Sequence, residues 1–302
     1  MAITVPQLTS LAQEAIPYLT AGIAPLAALS TDFSADVRGV NDTVKVPVIG
    51  KPTAASAFSH STGYADKNDS TLTTASITLD TRLFTADTLA DTDFTALNAD
   101  TIRKLIQAQV ENVAEQACSY VFAKATADAI ANEYVAGDAS EFSYAKAVAL
   151  KTAATKLGIP NAGRHLLLDS AAHDTLLADS TIASAFVAEL AKSTIEEGFI
   201  RRVAGMFVHE AAALPDNDEN LYGLLTLPSG IAVASRATEG TGKEDMLTII
   251  TDPQTGFSIV TKVIADPLKA SITLASECIF GGVIANADAI VRIVSAATSS
   301  DS

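Results

Sequence analysis

Four histidines, two cysteines, a glycine-rich run ahead of a lysine and two carboxylate-rich stretches are the groups in this chain that could do chemistry. The run Thr238-Glu239-Gly240-Thr241-Gly242-Lys243 has the outline of a phosphate-binding loop. That motif needs a glycine where Ala237 stands and a Ser or Thr where Glu244 stands, and a carboxylate there repels phosphate. A flexible surface turn is the better reading. His60, His165, His173 and His209 make no HExxH motif, and only His165 and His173 are near one another in sequence. His165 and His209 sit in strand patterns and read as structural, whereas His173, next to Asp174, reads as solvated. Cys118 falls in a helical stretch and Cys278 in a strand-like one, far apart, which suits two reduced buried thiols. No Gly-x-Ser-x-Gly elbow supplies a hydrolase nucleophile, and no Gly-x-Gly-x-x-Gly follows a strand. Residues 87–93 and 216–219 read as solvated carboxylates, with Asp216, Asp218 and Glu219 at most a weak divalent-cation site. No catalytic, cofactor or metal site is expected, and the chain does not read as an enzyme.

Composition narrows the class instead. Of 302 residues, 48% are hydrophobic and 18% charged, enough to bury a sizeable core and too apolar for wholesale disorder. The apolar content is mostly Ala, Val, Leu and Ile, with no Trp. Small apolar side chains suit broad, close-fitting surfaces as well as interiors. The net charge of −15 leaves too few, too scattered cations for a free nucleic-acid binder. The same charge is compatible with lining a container of DNA without sticking to it. The N-terminus lacks a basic segment followed by an apolar core, and apolar runs break well before the ~18 residues that span a bilayer. A soluble protein that stays where it is made is expected.

The elements come in a distinctive order. Residues 1–38 hold no Lys or Arg before Arg38, and Leu8, Leu11, Ala12, Ala15, Ile16 and Leu19 follow helical spacing, bounded by Pro6 and Pro17. This reads as an amphipathic arm, equally able to bind a partner or pack on its own domain. Thr43-Val44-Lys45-Val46-Pro47-Val48 alternates as a strand, with Pro47 suiting an edge. Leu72 to Asp80 resumes strand character, so the polar stretch between them tops a long hairpin. Residues 98–132 carry the longest helical pattern, through Ile102, Leu105, Ile106, Val110, Val113, Ala117, Tyr120 and Val121, with Asn98 as N-cap and a length of roughly 50 Å. An α/β region follows over 138–243: helix 144–157, strand 164–168, a short helix to Leu177, helix 182–192, strand 203–209, an acidic loop and an apolar segment 231–234. Strands 246–251 and 257–263 flank Asp252-Pro253-Gln254-Thr255-Gly256, a turn with the residues a turn demands. Further strands are expected at 271–276 and 290–294, with a polar tail after them.

Arm, hairpin, spine helix, α/β insertion and returning strands, in that order, resemble the Hong Kong 97-type capsid fold of tailed bacteriophages. Val44-Lys45-Val46-Pro47-Val48 and Ile77-Thr78-Leu79-Asp80 look like the flanks of that family's E-loop. Arg164-His165-Leu166-Leu167-Leu168-Asp169-Ser170 with Leu176-Leu177 resembles its axial strand–helix phrase. Gly205-Met206-Phe207-Val208-His209-Glu210 ahead of Leu214-Pro215 resembles the next strand, and Asp252 to Gly256 its late hairpin turn.

The resemblance implies an α+β fold divided as N-arm 1–38, E-loop hairpin 39–94, peripheral domain with spine helix 95–137, axial domain 138–243 and returning peripheral strands 244–302. It implies a major capsid protein forming hexamers and pentamers of an icosahedral shell around double-stranded DNA, touched weakly and without sequence preference. Its partners would be further copies of itself, a separate scaffolding protein, a portal and a decoration protein, with no membrane. Assembly would take place in the host bacterial cytoplasm, and the product would be the virion capsid. Leu8, Leu11, Ile16 and Leu19 are expected at a subunit contact. Lys51 and Lys67 stand in the loop where some relatives cross-link, but no catalytic Glu or acceptor Asn matches, so no cross-link is expected. An encapsulin-type compartment shares the fold, though its N-terminal helix phrase is missing. A soluble α/β enzyme with a site made only in three dimensions is the distant alternative.

Overall fold

The computed structural model describes residues 13–29, 43–49, 60–61, 72–90, 92, 99–182, 202–238, 244 and 246–296. Leu8, Leu11, Lys51, Lys67 and Asn98 lie outside them, as do 183–192 of one expected helix and 239–243 of the glycine-rich run. The described residues open with helix α1 (Ile16–Gly22) and a 3-10 turn (Ala24–Ala28), then strands β1 (Thr43–Ile49), β2 (Leu72–Thr78) and β3 (Thr81–Ala90). Helix α2 (Ala99–Phe122) leads to β4 (Glu133–Val135), α3 (Tyr144–Lys156), β5 (His165–Leu168) and α4 (Ser170–Ala178). Strands β6 (Arg202–Val203), β7 (Met206–Glu210), β8 (Leu221–Thr226) and β9 (Ile231–Arg236) follow. The last four are β10 (Met246–Thr251), β11 (Ser258–Asp266), β12 (Ser271–Ile284) and β13 (Ile290–Val294).

These strands form three sheets. β1 and β2 pair alone, five strands run β10-β11-β12-β3 with β9 also on β12, and six run β4-β13-β8-β5-β7-β6. The spine helix α2 lies across the five-stranded sheet and seals the main core with Ile106, Val110, Val113, Ala117 and Val121 against Leu274, Cys278 and Phe280. Its interior also holds a polar clamp. Gln109, buried on α2, donates to Asp87 Oδ2 on β3 (2.6 Å) and to the Leu274 carbonyl on β12 (3.2 Å), and accepts from Ser276 Oγ (3.2 Å). Asp87 is therefore a structural acceptor, not the solvated carboxylate expected. A second core lies on the far face of the six-stranded sheet, where α3 and α4 cover Leu166, Leu168, Met206, Val208, Leu225 and Ile293.

Several expectations change. The spine helix has 24 residues, about 36 Å, and stops ten residues short of the periodic pattern. Asn217 from the acidic loop donates to the Phe122 and Ala125 carbonyls, and the Glu219 carboxylate accepts from Ala127 N, so a distant loop captures the groups that another helical turn would use. The strand expected at 203–209 is a hairpin: Ala204 (φ +49°) and Gly205 (φ +86°) are the two left-handed residues of its turn, joining β6 to β7. The sheets also cut across the expected domain boundaries. β9 joins the spine-helix sheet by pairing with β12, while β4 and β13 join the six-stranded sheet.

β3 and β8 were not anticipated. β3 alternates Leu83, Thr85, Asp87 and Leu89 inward, a half-polar set that masks its period. β8 is buried at every residue, in the middle of its sheet. Next to β12, the junction of β2 and β3 imposes a hard steric limit. A Cβ at Gly281 would lie 2.1 Å from the Thr78 carbonyl oxygen, whereas one at Gly282 would meet only Val121 Cγ2 at 3.2 Å. Gly281→Ala is expected to lose about 3 kcal/mol or more of unfolding free energy in chemical denaturation, and Gly282→Ala markedly less. Equal losses would contradict this packing.

Candidate assembly surfaces

The arm helix is spent on its own chain. Leu19 is fully buried, and Ile16 is half-buried against the same core as α2. A Cβ at Gly22 would sit 2.8 Å from Ala114 Cβ, and Cys118 Sγ donates to the Gly22 carbonyl (3.3 Å), so the two helices touch through small residues. Thr20 Oγ1 donates to Asp252 Oδ1 (2.7 Å), fastening α1 to the β10–β11 turn. The same Asp252 accepts from Gln254 N, Thr255 N and Thr255 Oγ1, which shapes that turn. Burial alone would raise its carboxyl, but these bonds outweigh it and hold the carboxyl below its ordinary range. Leu19, expected at a subunit contact, is buried within its own chain. Ile16 packs partly against the same core and keeps part of its surface open.

The hairpin stands differently. β1 and β2 pair in one unbroken antiparallel register, from Thr43 opposite Thr78 to Ile49 opposite Leu72. Pro47 faces Thr74, and among the described residues β1 has no second strand beside it, as a proline in a strand requires. Val44, Val46, Ile77 and Leu79 pack on Ala232, Ala234 and Ile279 at the root. Towards Val48 and Thr73 that burial fades. Among its described residues, the hairpin is anchored at its base.

One face of the five-stranded sheet points away from α2. Its cross-strand row Ile249–Val260–Glu277–Phe84 has a buried centre and open ends, Ile249 being 51% and Phe84 69% exposed. Thr238 and Glu244, from the stretch after β9, reach the centre. There Glu277 accepts from Lys262, Thr238 and Arg82. Burial by itself would raise the Glu277 carboxyl, but those three donors outweigh it and hold it below the ordinary glutamate value. Lys262 is almost as buried as its partner.

The six-stranded sheet carries a stacked row that its sequence spacing concealed. His165 Nδ1 and His209 Nε2 are 2.9 Å apart, and the His165 ring also stacks on Phe207, which Arg202 covers at 4.1 Å. The pairing of β5 with β7 brings together histidines 44 residues apart. His173, expected in solvent, is 3% exposed on α4. Cys118 and Cys278 share the main core, where burial pushes each thiol up to about 12. In the acidic loop, Glu219 is taken by Ala127 N and by buried Arg292 (2.7 Å), leaving it no cation to hold. Among the described residues no three His, Cys, Asp or Glu side chains cluster as metal ligands would. Likewise, no described helix is long and apolar enough to cross a membrane.

No protein-family model and no curated protein matches the chain. Solved structures do. A chain of Mycobacterium phage Che8 superposes with a TM-score of 0.57 at 15% identity, over 90% of this chain and 90% of its own. The capsid structure of cyanophage P-SCSP1u gives 0.58 at 14% identity, over 87% of this chain and 86% of that one. The capsid asymmetric unit of cyanophage A-1(L) gives 0.56 at 12% identity, over 90% and 92%. This chain has the α+β fold of a phage capsid subunit.

In this capsid fold, the Glu277 cluster joins β3, β11 and β12 with the stretch after β9. Glu277→Gln keeps the shape but leaves the buried Lys262 ammonium only Glu244, 4.0 Å away, as a carboxylate partner, so a loss of about 3 kcal/mol is expected in urea unfolding near neutral pH. The native carboxyl lies below its unfolded value of 4.5, so its contribution is full above that value and lost as pH falls through the native one. The difference between the wild type and Glu277→Gln should shrink over that acid range, and a difference constant with pH would refute the assignment.

Proposed function

We propose that this protein is a major capsid protein of the Hong Kong 97 type, assembling as hexamers and pentamers into an icosahedral shell around phage double-stranded DNA. The observation that carries the reading is the shared fold over about nine-tenths of both chains, repeated across phage capsid structures at 12–15% identity. In this reading residues 39–94 are the E-loop, α2 is the spine of a peripheral domain, and the six-stranded sheet with α3 and α4 is the axial domain. Axial contacts close the rings, and the hairpin, whose described residues are anchored at the root, gains further burial from neighbouring subunits. Many modest contacts then act together on a closed lattice. Leu8 and Leu11 are proposed to lie at a subunit contact, and Lys51 and Lys67 in the loop that meets a neighbour. The chain works by assembly and carries out no reaction.

A net charge of −15 suits a wall that holds DNA without gripping it. A separate scaffolding protein is proposed to guide curvature, a portal to occupy one vertex, and a decoration protein is compatible with the outer surface. Assembly would occur in the host bacterial cytoplasm. Size-exclusion chromatography and electron microscopy of the purified protein test the reading. Megadalton shells, or rings of five and six, are expected, and uniform shells should need co-expression with the scaffolding gene. A sharp monomer under all conditions would refute it. Changing Leu8 and Leu11 together to Ser should leave a folded chain, by circular dichroism, that assembles at least about tenfold less efficiently, since two leucine contacts repeat in every subunit. Unaltered assembly would remove the arm from the contact.

A further inference from the structure

The His165–His209 pair stands at a seam between two parts of the chain. Along β5, Leu166 and Leu168 face the core under α3 and α4, while Leu167 faces the core shared with the arm. Strand alternation puts His165 on the Leu167 side, and the register puts Phe207 and His209 there too. The 3-10 turn Ala24–Ala28 packs along β7, and Leu26, Ala28 and Leu29 share that core with Leu167 and Ala211. The N-terminal segment therefore lies on the sheet face that carries the two imidazoles.

The surroundings offer an added proton little. From β6, Arg202 brings a guanidinium onto Phe207. On β7, Glu210 accepts from Ser170 Oγ (2.7 Å) on the α4 side of the sheet. Arg164, ahead of β5, donates to the carbonyls of Lys151, Ile159 and Pro160 at the end of α3. β8 places Thr226 opposite His165, and the 3-10 turn is Ala-Pro-Leu-Ala-Ala, with nothing to titrate. Two neutral rings need one N–H between them, directed at a bare nitrogen. One added proton can be held between the rings, but as a cation beside Arg202 and an apolar turn. A second proton sets N–H against N–H and breaks the bond.

We infer that this pair is a proton-sensitive latch, which holds the N-terminal segment on the six-stranded sheet when neutral and releases it when protonated. Burial of both rings, together with the charge of His165 acting on His209, lowers the two from the ordinary histidine value, His209 to about 4. The sign follows. A released segment takes away part of the burial that lowers the two rings, so the open form binds more protons than the closed one and gains as pH falls. Below the native value the dependence levels off. This device goes beyond assembly and concerns how one subunit changes shape.

Hydrogen–deuterium exchange of the full-length protein from about pH 7.5 to about pH 4.5 tests it, after correction for intrinsic rates. Peptides covering residues 16–29 should exchange faster as pH falls, by up to about tenfold per unit. His209→Gln, neutral at every pH, should reduce that dependence to what His165 alone contributes. The latch is overturned if His209→Gln keeps the wild-type dependence, if wild-type exchange at 16–29 does not respond to pH, or if only 202–211 responds. Should His209→Gln fail to fold, deuteration of the imidazole C2 positions in the wild type decides instead. A half-titration of His209 well below 6.5, coinciding with release of 16–29, supports the latch, and one at or above 6.5 refutes it.

Discussion

β12 is the constraint on which the rest depends. Its 14 residues pair with β3 from about 190 positions earlier, with β9, and with β11, while its inner face takes the weight of α2. Three remote parts of the chain must converge on one strand before any of them can bury its apolar face. Pairing across such long separations is slow to form, because loop closure comes before the contacts that reward it. Small residues make the convergence possible: at Gly281 the backbone of β12 passes so close to Thr78 that no side chain fits.

Buried polar groups then hold the parts in register where apolar packing would let them slide. Gln109 binds β3 and β12 at once, so the spine helix cannot shift along the sheet without leaving Asp87 unpaired. Asn217 and Glu219 close the end of the spine, and Glu219 is in turn held by Arg292 on β13, which ties the spine helix to the six-stranded sheet. Arg164 fastens α3 to the segment that leads into β5 through the carbonyls of Lys151, Ile159 and Pro160. Each of these groups is costly to strand, so each makes one arrangement much better than its neighbours.

This internal economy separates what the subunit satisfies by itself from what it leaves for others. The arm helix is complete on its own chain, fitted to α2 through Gly22 and tied by Thr20 to the β10–β11 turn. The β1–β2 hairpin and the ends of the outer row, Phe84 and Ile249, are not. A subunit with closed cores and open apolar points at its margins suits the lattice proposed above, in which neighbours supply the missing burial.

Local chemistry was enough to read β1 and β2, α3 with its stop at Gly158, and the Asp252–Gly256 turn, because period, capping and turn geometry are written within a few residues. The order of those pieces also carried the fold class. What tertiary structure alone decided lies where the partner is remote. α2 ends early because Asn217 and Glu219 take its groups, a competition invisible in its own periodicity. β3 escaped notice since half its inward set is polar and gains its meaning only from Gln109. Leu19 fits an amphipathic stripe whether its partner is α2 or a second molecule, and His165 meets His209 only because β5 and β7 lie side by side. Spacing along a chain specifies which face a residue occupies; the burial, hydrogen bonds and protonation of that face depend on whatever the fold brings opposite.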